Sequence, residues 1–450
     1  MTCLHAVFIL ARIALIAALL PLAIGWRTPL LTTWRPIALV ALLALPLIVI
    51  AIDVSTLRRV WTRSAWLRLM SGASLVLALF AFGVTATIEL QFQYRRRAVL
   101  AADPQRLEQL GAHVVVGYRK PSELHALLER RAIGGVFLSA LNVEGRTADE
   151  IRDDIAGLQE IRRAQGLPPL WIATDQEGGP VSRLSPPLTR MPPLAEIVML
   201  HRDPAERLIA VRQYAARQGH ELAGLGVNLN FAPVVDLNHG MVNPEDKTSR
   251  ISTRAISNDP AVVTQVADLY CETLMLTGVH CTLKHFPGLG RVYEDTHKLS
   301  ADLAAPSQEL EATDWLPFRH LKENGSAFTM LGHARLTAID AEHPASFSRA
   351  VVKGLLRDTW GHGGILITDD FSMGAVTFSR EGASGGAVAA LNAGVDLILV
   401  SYDPDQYFPV MYALLRADRD GRLDRQMLAA SKARLRRAAF PADLAKLPAK

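Results

Sequence analysis

The chain has 450 residues, half of them apolar and only 20% charged, with a mean hydropathy of +0.17. That length suits one large domain plus an appendage, and the low charge excludes an ordinary, wholly soluble composition. The net charge of +4 and isoelectric point near 9.0 do not make a nucleic-acid binder, because the arginines flank apolar stretches and no basic patch with interleaved aromatics occurs.

The apolar excess lies in the first part of the chain, as three stretches. The first runs from about Ala6 to Gly25 and contains Arg12. The second runs from Ile37 to Ile52 and contains Pro46; the third runs from Met70 to Ile88. A bilayer core takes roughly 20 apolar residues. The first and third qualify, and Trp34 and Arg35 extend the second toward the interface. No basic n-region precedes the first stretch, so it does not read as a cleaved signal peptide. The expectation is a multi-pass region of about three transmembrane helices over residues 1–97, in contact with a lipid bilayer. A re-entrant middle segment is the alternative.

Orientation stays open on charge alone. Arg58, Arg59, Arg63 and Arg68 place the second loop in the cytoplasm and the C-terminal part outside. Arg27, Arg35, Arg95, Arg96 and Arg97 pull the other way. A periplasmic or external domain is the favoured expectation, on grounds other than charge.

From residue 101 to 450 the composition is ordinary. Eight β-rich runs recur: His113–Val116, Gly134–Leu138, Leu170–Thr174, Val227–Ala232, His280–Lys284, Ser326–Leu331, Gly364–Thr368 and Val395–Val400. Several are continuous apolar runs, as in buried parallel strands. Segments between them, such as Pro204–Leu225 and Ala261–Leu276, have helical periodicity. Alternation of this kind predicts an α/β fold, a (β/α)8 TIM-type barrel preceded by the helical transmembrane region. An open doubly wound sheet is the alternative, but no Gly-rich phosphate turn follows the first strand.

Polar residues stand where such a barrel carries its chemistry, at the C-terminal ends of strands. Asp175, His285 and Asp369 each follow a β run. In T-D-D-F-S-M, Asp369 suits a rigidly held nucleophile or, equally, a helix cap, with Asp370 available for the second job. The K-H-F-P-G-L-G segment leaves its strand through Pro287, Gly288 and Gly290, and the loop ends in Asp295-Thr296-His297. An aspartate two residues from a histidine can fix its tautomer; an exposed loop histidine is the alternative. In D-Q-E-G-G-P-V-S-R, Arg183 can return to the mouth beside Asp175, while Glu177 reads as turn residue or catalyst alike. Arg250 and Arg254 lie in a polar run that usually means solvated surface. His333 reads as mouth-lining or core. The three cysteines, Cys3, Cys271 and Cys281, form no C-x-x-C pair, so neither a zinc site nor a disulfide framework is indicated. Cys271 and Cys281 are read as two buried thiols, with pairing the alternative.

Together these motifs resemble glycoside hydrolase family 3, in its bacterial β-N-acetylglucosaminidase branch. The match spans roughly residues 110 to 440 and includes G-V-N-L-N-F-A-P-V-V-D at Gly226–Asp236. The resemblance implies a one-domain barrel, a carbohydrate substrate, a retaining mechanism, and no cofactor or metal. It implies Asp369 as nucleophile, His297 as acid/base with Asp295 as its partner, and Asp175, Arg183, Arg254, Lys284 and His285 as sugar-holding residues. The leading expectation is hydrolysis of terminal β-linked N-acetylglucosamine from peptidoglycan-derived fragments. A phosphorylase and a non-catalytic membrane sugar sensor are the alternatives. The chain departs from the family pattern at Leu289, where His is usual, and at Pro180, where Arg is frequent.

Overall fold

A computed structural model describes residues 2–60, 64–321 and 327–440, and the chain divides into two compact units, residues 1–98 and 99–450. Arg63 and Ser326, named above, lie outside the described residues.

The first unit holds three helices, α1 (Thr2–Gly25), α2 (Arg35–Val60) and α3 (Ala65–Leu100). All three are long and apolar enough to cross a membrane. The middle apolar stretch reaches this length because α2 continues at both ends, with Pro46 inside it. Two ion pairs link residues of this unit. Arg12 reaches Asp53 at 2.6 Å, and Asp53 is fully buried. Arg27 bonds Glu89 and lies over the rings of Trp26 and Phe92. Charges in such a setting persist only when paired inside the bundle.

In the second unit eight parallel strands form one sheet. They are β1 (Val114–Gly117), β2 (Gly135–Leu138), β3 (Trp171–Thr174), β4 (Leu229–Asn230), β5 (Thr282–Phe286), β6 (Phe328–Leu331), β7 (Leu366–Asp370) and β8 (Leu397–Val400). Their order is β4-β3-β2-β1-β8-β7-β6-β5. Val115 stands opposite Leu399, and Ile367 opposite Met330. Two parallel bridges, Leu229 to His280 and Val234 to Lys284, join the ends and nearly close a barrel. Each of the eight β runs overlaps one strand, and β1, β5 and β7 continue past their runs to Gly117, Phe286 and Asp370.

The strand pleat separates two cores. Val115, Phe137, Trp171, Phe231, Phe328, Ile367 and Leu399 fill the barrel. Val114, Val136, Ile172, Leu366 and Ile398 face outward and pack with the helices. Two of these helices are α4 (Pro204–Leu225) and α5 (Pro260–Met275). Each starts with proline after an aspartate, Asp203 or Asp259, whose carboxylate accepts two backbone N–H groups, as helix starts favour. Gly226 closes α4 at φ 87°, a conformation that suits glycine.

One expectation is corrected here. Cys271 and Cys281 are joined in a disulfide rather than lying as two buried thiols. Cys271 is on α5 and Cys281 immediately precedes β5. The tight return from helix to strand brings their Cα atoms to 5.3 Å, within bridging range.

Candidate active site

The strand ends assemble a buried charge cluster. Lys284, on β5 and 2% exposed, contacts Asp175 at 2.8 Å and Glu177 at 2.5 Å. Arg254 donates to both oxygens of Glu177, from Nε at 2.9 Å and Nη2 at 2.6 Å. Burial opposes the charge on Glu177, but Arg254 and Lys284 outweigh it and hold the carboxyl at about 2. The same carboxylate raises Arg254 above its ordinary value despite burial. Glu177 thus fixes two cations whose remaining donors can meet a polyhydroxylated ligand. It occupies a short strand, Gln176–Gly178, paired with Val181–Ser182. That hairpin returns Arg183 beside Asp175, whose carbonyl accepts the Arg183 N–H, while the Arg183 side chain stays exposed.

His285 is oriented from behind. The Asp236 carboxylate accepts from the His285 backbone N–H, contacts Nδ1 at 2.7 Å and accepts from the Leu289 N–H. Asp236 is buried at the end of the N-F-A-P-V-V-D motif. One carboxylate therefore holds both the ring and the base of the following loop, leaving Nε2 as the histidine's remaining polar atom.

Asp369 lies in β7, half-buried, and accepts the Asp370 N–H at 2.8 Å. Burial works against its ionised form, but His285, His333, His297 and that N–H outweigh burial and hold it below the ordinary carboxylate value. An ionised, rigidly held carboxylate at a strand end is competent for attack on an electrophilic carbon. Its neighbour behaves differently. Asp370 accepts the N–H groups of Ser372, Ser401 and Tyr402 and ties β7 to the end of β8; burial nevertheless raises its carboxyl. His333 is buried between Ser346 Oγ at 2.8 Å and the Asp370 carbonyl at 3.1 Å. Both of its nitrogens are engaged, so it backs Asp369 from the core. Burial lowers its pKa, opposed by Asp369.

The loop after β5 brings Asp295 and His297 to the same region. Asp295 Oδ1 accepts the His297 N–H at 3.0 Å and lies 2.9 Å from His297 Nδ1. Burial opposes ionisation of Asp295, but these contacts hold it at about 2. The loop backbone is docked: the carbonyls of His297 and Thr296 accept the N–H groups of Gly374 and Ala375, just beyond β7. A side chain at Gly374 would run into the Lys298 carbonyl. A histidine backed by a buried carboxylate, with its ring half-exposed, can donate and take up a proton.

The family described as "Glycosyl hydrolase family 3 N terminal domain" matches residues 104–438. The chain belongs to glycosyl hydrolase family 3. It is a glycosidase, similar to the β-hexosaminidase of Xanthomonas euvesicatoria pv. vesicatoria (34% identity over 289 residues, 64% of this chain and 82% of the relative). Among solved structures it resembles a family 3 β-N-acetylglucosaminidase from Paenibacillus (TM-score 0.67, 29% identity), covering 76% of this chain and 64% of that one. It also resembles native NagZ from Neisseria gonorrhoeae (TM-score 0.59, 27% identity), covering 72% of this chain and 89% of that one.

In this family 3 glycosidase the two departures have local explanations. Leu289 is 4% exposed and packs with Ile251, Ala255, Ala301 and Ala334, so an apolar side chain fits where the family usually has His. Pro180 is exposed at the hairpin. The polar run from Asn243 to Arg254 is divided: Arg250 is solvated, whereas Ser249 and the Arg254 side chain are buried. Sequence reasoning missed the structural parts of Glu177, Asp236 and Ser249. The first two stand in motifs quoted above, which was the available signal; Ser249 carried none.

Proposed function

We propose that this glycosidase is a retaining β-N-acetylhexosaminidase that removes terminal β-linked N-acetylglucosamine from peptidoglycan-derived fragments. In this reading Asp369 attacks the anomeric carbon and forms a glycosyl ester. His297, paired with Asp295, protonates the departing oxygen and then activates the water that releases the sugar. Asp175, Arg183, Arg254, Lys284 and His285 hold hydroxyl and acetamido oxygens. The observation that carries the reading is the docking of the Asp295–His297 loop on the residues that follow the Asp369 strand. It sets an ionised carboxylate and a proton carrier at one barrel mouth. The names of the relatives support the N-acetylhexosaminide substrate.

The first 97 residues are proposed as a three-helix anchor in a bacterial inner membrane, with the barrel of residues 101–450 on the external face. The Cys271–Cys281 disulfide supports that side, since such bonds persist in oxidising compartments. Reporter fusions just after Arg97 test it; activity only of cytoplasmic reporters would reverse the orientation.

The functional test is sugar release from an aryl β-N-acetylglucosaminide and from muropeptides by the full-length protein in detergent, with and without phosphate. Free N-acetylglucosamine, first formed as the β anomer and independent of phosphate, is expected. A sugar phosphate would make the enzyme a phosphorylase. Binding without turnover would make it a sensor.

A further inference from the structure

Ser249 touches both members of the proposed acid/base pair. It is 6% exposed. Its Oγ donates to Asp295 Oδ1 at 3.0 Å and lies 3.1 Å from His297 Nδ1. Its carbonyl accepts from Arg254 Nη1 at 2.8 Å. The residue is fixed by a turn in which the Asp246 carboxylate accepts the N–H groups of Thr248, Ser249 and Arg250. Arg250 takes φ 44° to close that turn.

The chemistry of the contact is directional. A hydroxyl carries one proton and two lone pairs. With its proton on Asp295, Ser249 presents a lone pair to the Nδ1 side of His297. The Nδ1–H therefore lies between two acceptors, Asp295 Oδ1 and Ser249 Oγ. A flipped ring would turn a C–H toward both and lose both contacts. This tautomer follows from the hydrogen-bond network, and it leaves Nε2 to exchange the proton with a leaving group. Asp295 alone acts at a single point, whereas two acceptors fix the ring plane.

We propose that Ser249 is a positioning residue that holds the His297 ring for proton transfer and joins it, through its own backbone, to Arg254. The proposal rests on the reading of His297 as acid/base. It adds a third member from a different loop, so that the sugar-holding arginine and the proton carrier are set by one residue.

The test uses kcat/KM for a series of aryl β-N-acetylglucosaminides, from dinitrophenyl to phenyl, on the full-length enzyme. This ratio reports the first irreversible step, and proton donation matters most for the poorest leaving group. His297→Ala is expected to lose about 10²-fold or more on the phenyl substrate and far less on the dinitrophenyl one. Ser249→Ala is expected to give the same slope at smaller amplitude, about tenfold on phenyl and under about threefold on dinitrophenyl. Ser249→Thr is expected to recover most of the phenyl rate, because Ser249 borders a 460 Å³ cleft with room for a methyl group. Ser249→Cys, of the same shape but with a weaker hydrogen-bonding group, serves if the alanine variant does not fold.

An equal loss across the series would overturn the proposal and leave Ser249 a support for Arg254 or the fold. So would no loss on phenyl where His297→Ala shows a steep slope. A flat series for His297→Ala would instead overturn the acid/base reading, and the role of Ser249 with it.

Discussion

Replacing Glu177 by Gln removes the one anion that Arg254 and Lys284 share, while keeping size and an acceptor oxygen. Those side chains are 9% and 2% exposed. Lys284 keeps Asp175, and Arg254 keeps the Ser249 carbonyl. Breaking one side of a buried ion pair costs about 3–5 kcal/mol, and the residual amide contacts put Glu177→Gln near the lower end. Arg254 and Lys284 hold the Glu177 carboxyl below its ordinary value, so the same ion pair also makes stability depend on pH. The carboxyl's folded value is depressed, so the contribution is complete above the unfolded pKa. It is lost as pH falls from 4.5 through about 2. Hydrogen exchange of peptides covering β3 and β5, in urea and detergent, reads the barrel apart from the three N-terminal helices. At pH 7 the variant is expected to lose about 3 kcal/mol, with a flatter acid limb than the wild type. KM is expected to rise more than kcat falls. A loss under about 1 kcal/mol with a parallel acid limb would refute the reasoning.

Gly374→Ala drives a Cβ into the Lys298 carbonyl and undocks the Asp295–His297 loop; kcat/KM is expected to fall about 10²-fold with little change in melting temperature. Leu289→His, which restores the usual family residue, puts an imidazole among Ile251, Ala255, Ala301 and Ala334; urea unfolding is expected to show a loss of about 1–3 kcal/mol. Cys271→Ser with Cys281→Ser opens a short covalent loop and is expected to cost about 3 kcal/mol, with activity retained at 25 °C.

The barrel was legible because its strands are continuous apolar runs between helices with Asp-Pro starts, as at Asp203-Pro204 and Asp259-Pro260. The least regular strand, β4, pairs with β3 over only Leu229–Asn230, and isolated bridges from Leu229 to His280 and from Val234 to Lys284 link this part of the chain to the β5 segment. The site was legible at the strand ends, where Asp175, His285 and Asp369 follow β runs and Lys284 ends one. What supports them was not. Glu177 meets Arg254 across 77 residues and Asp236 meets His285 across 49, and no local pattern encodes such contacts. Ser249 sits in a run of charged and polar residues that reads as solvated, and only the Asp246 turn buries it. The disulfide was missed for a related reason, since a spacing of ten residues does not reveal a helix returning on a strand.

The central claim is that Asp369 becomes covalently glycosylated. It is tested by mass spectrometry of the enzyme after reaction with a slow fluorinated N-acetylglucosaminyl donor, followed by peptic digestion. The account expects one added sugar, on the peptide carrying Asp369, and none in Asp369→Asn. A sugar found on another carboxylate, or turnover with no adduct and the α anomer formed first, would contradict it.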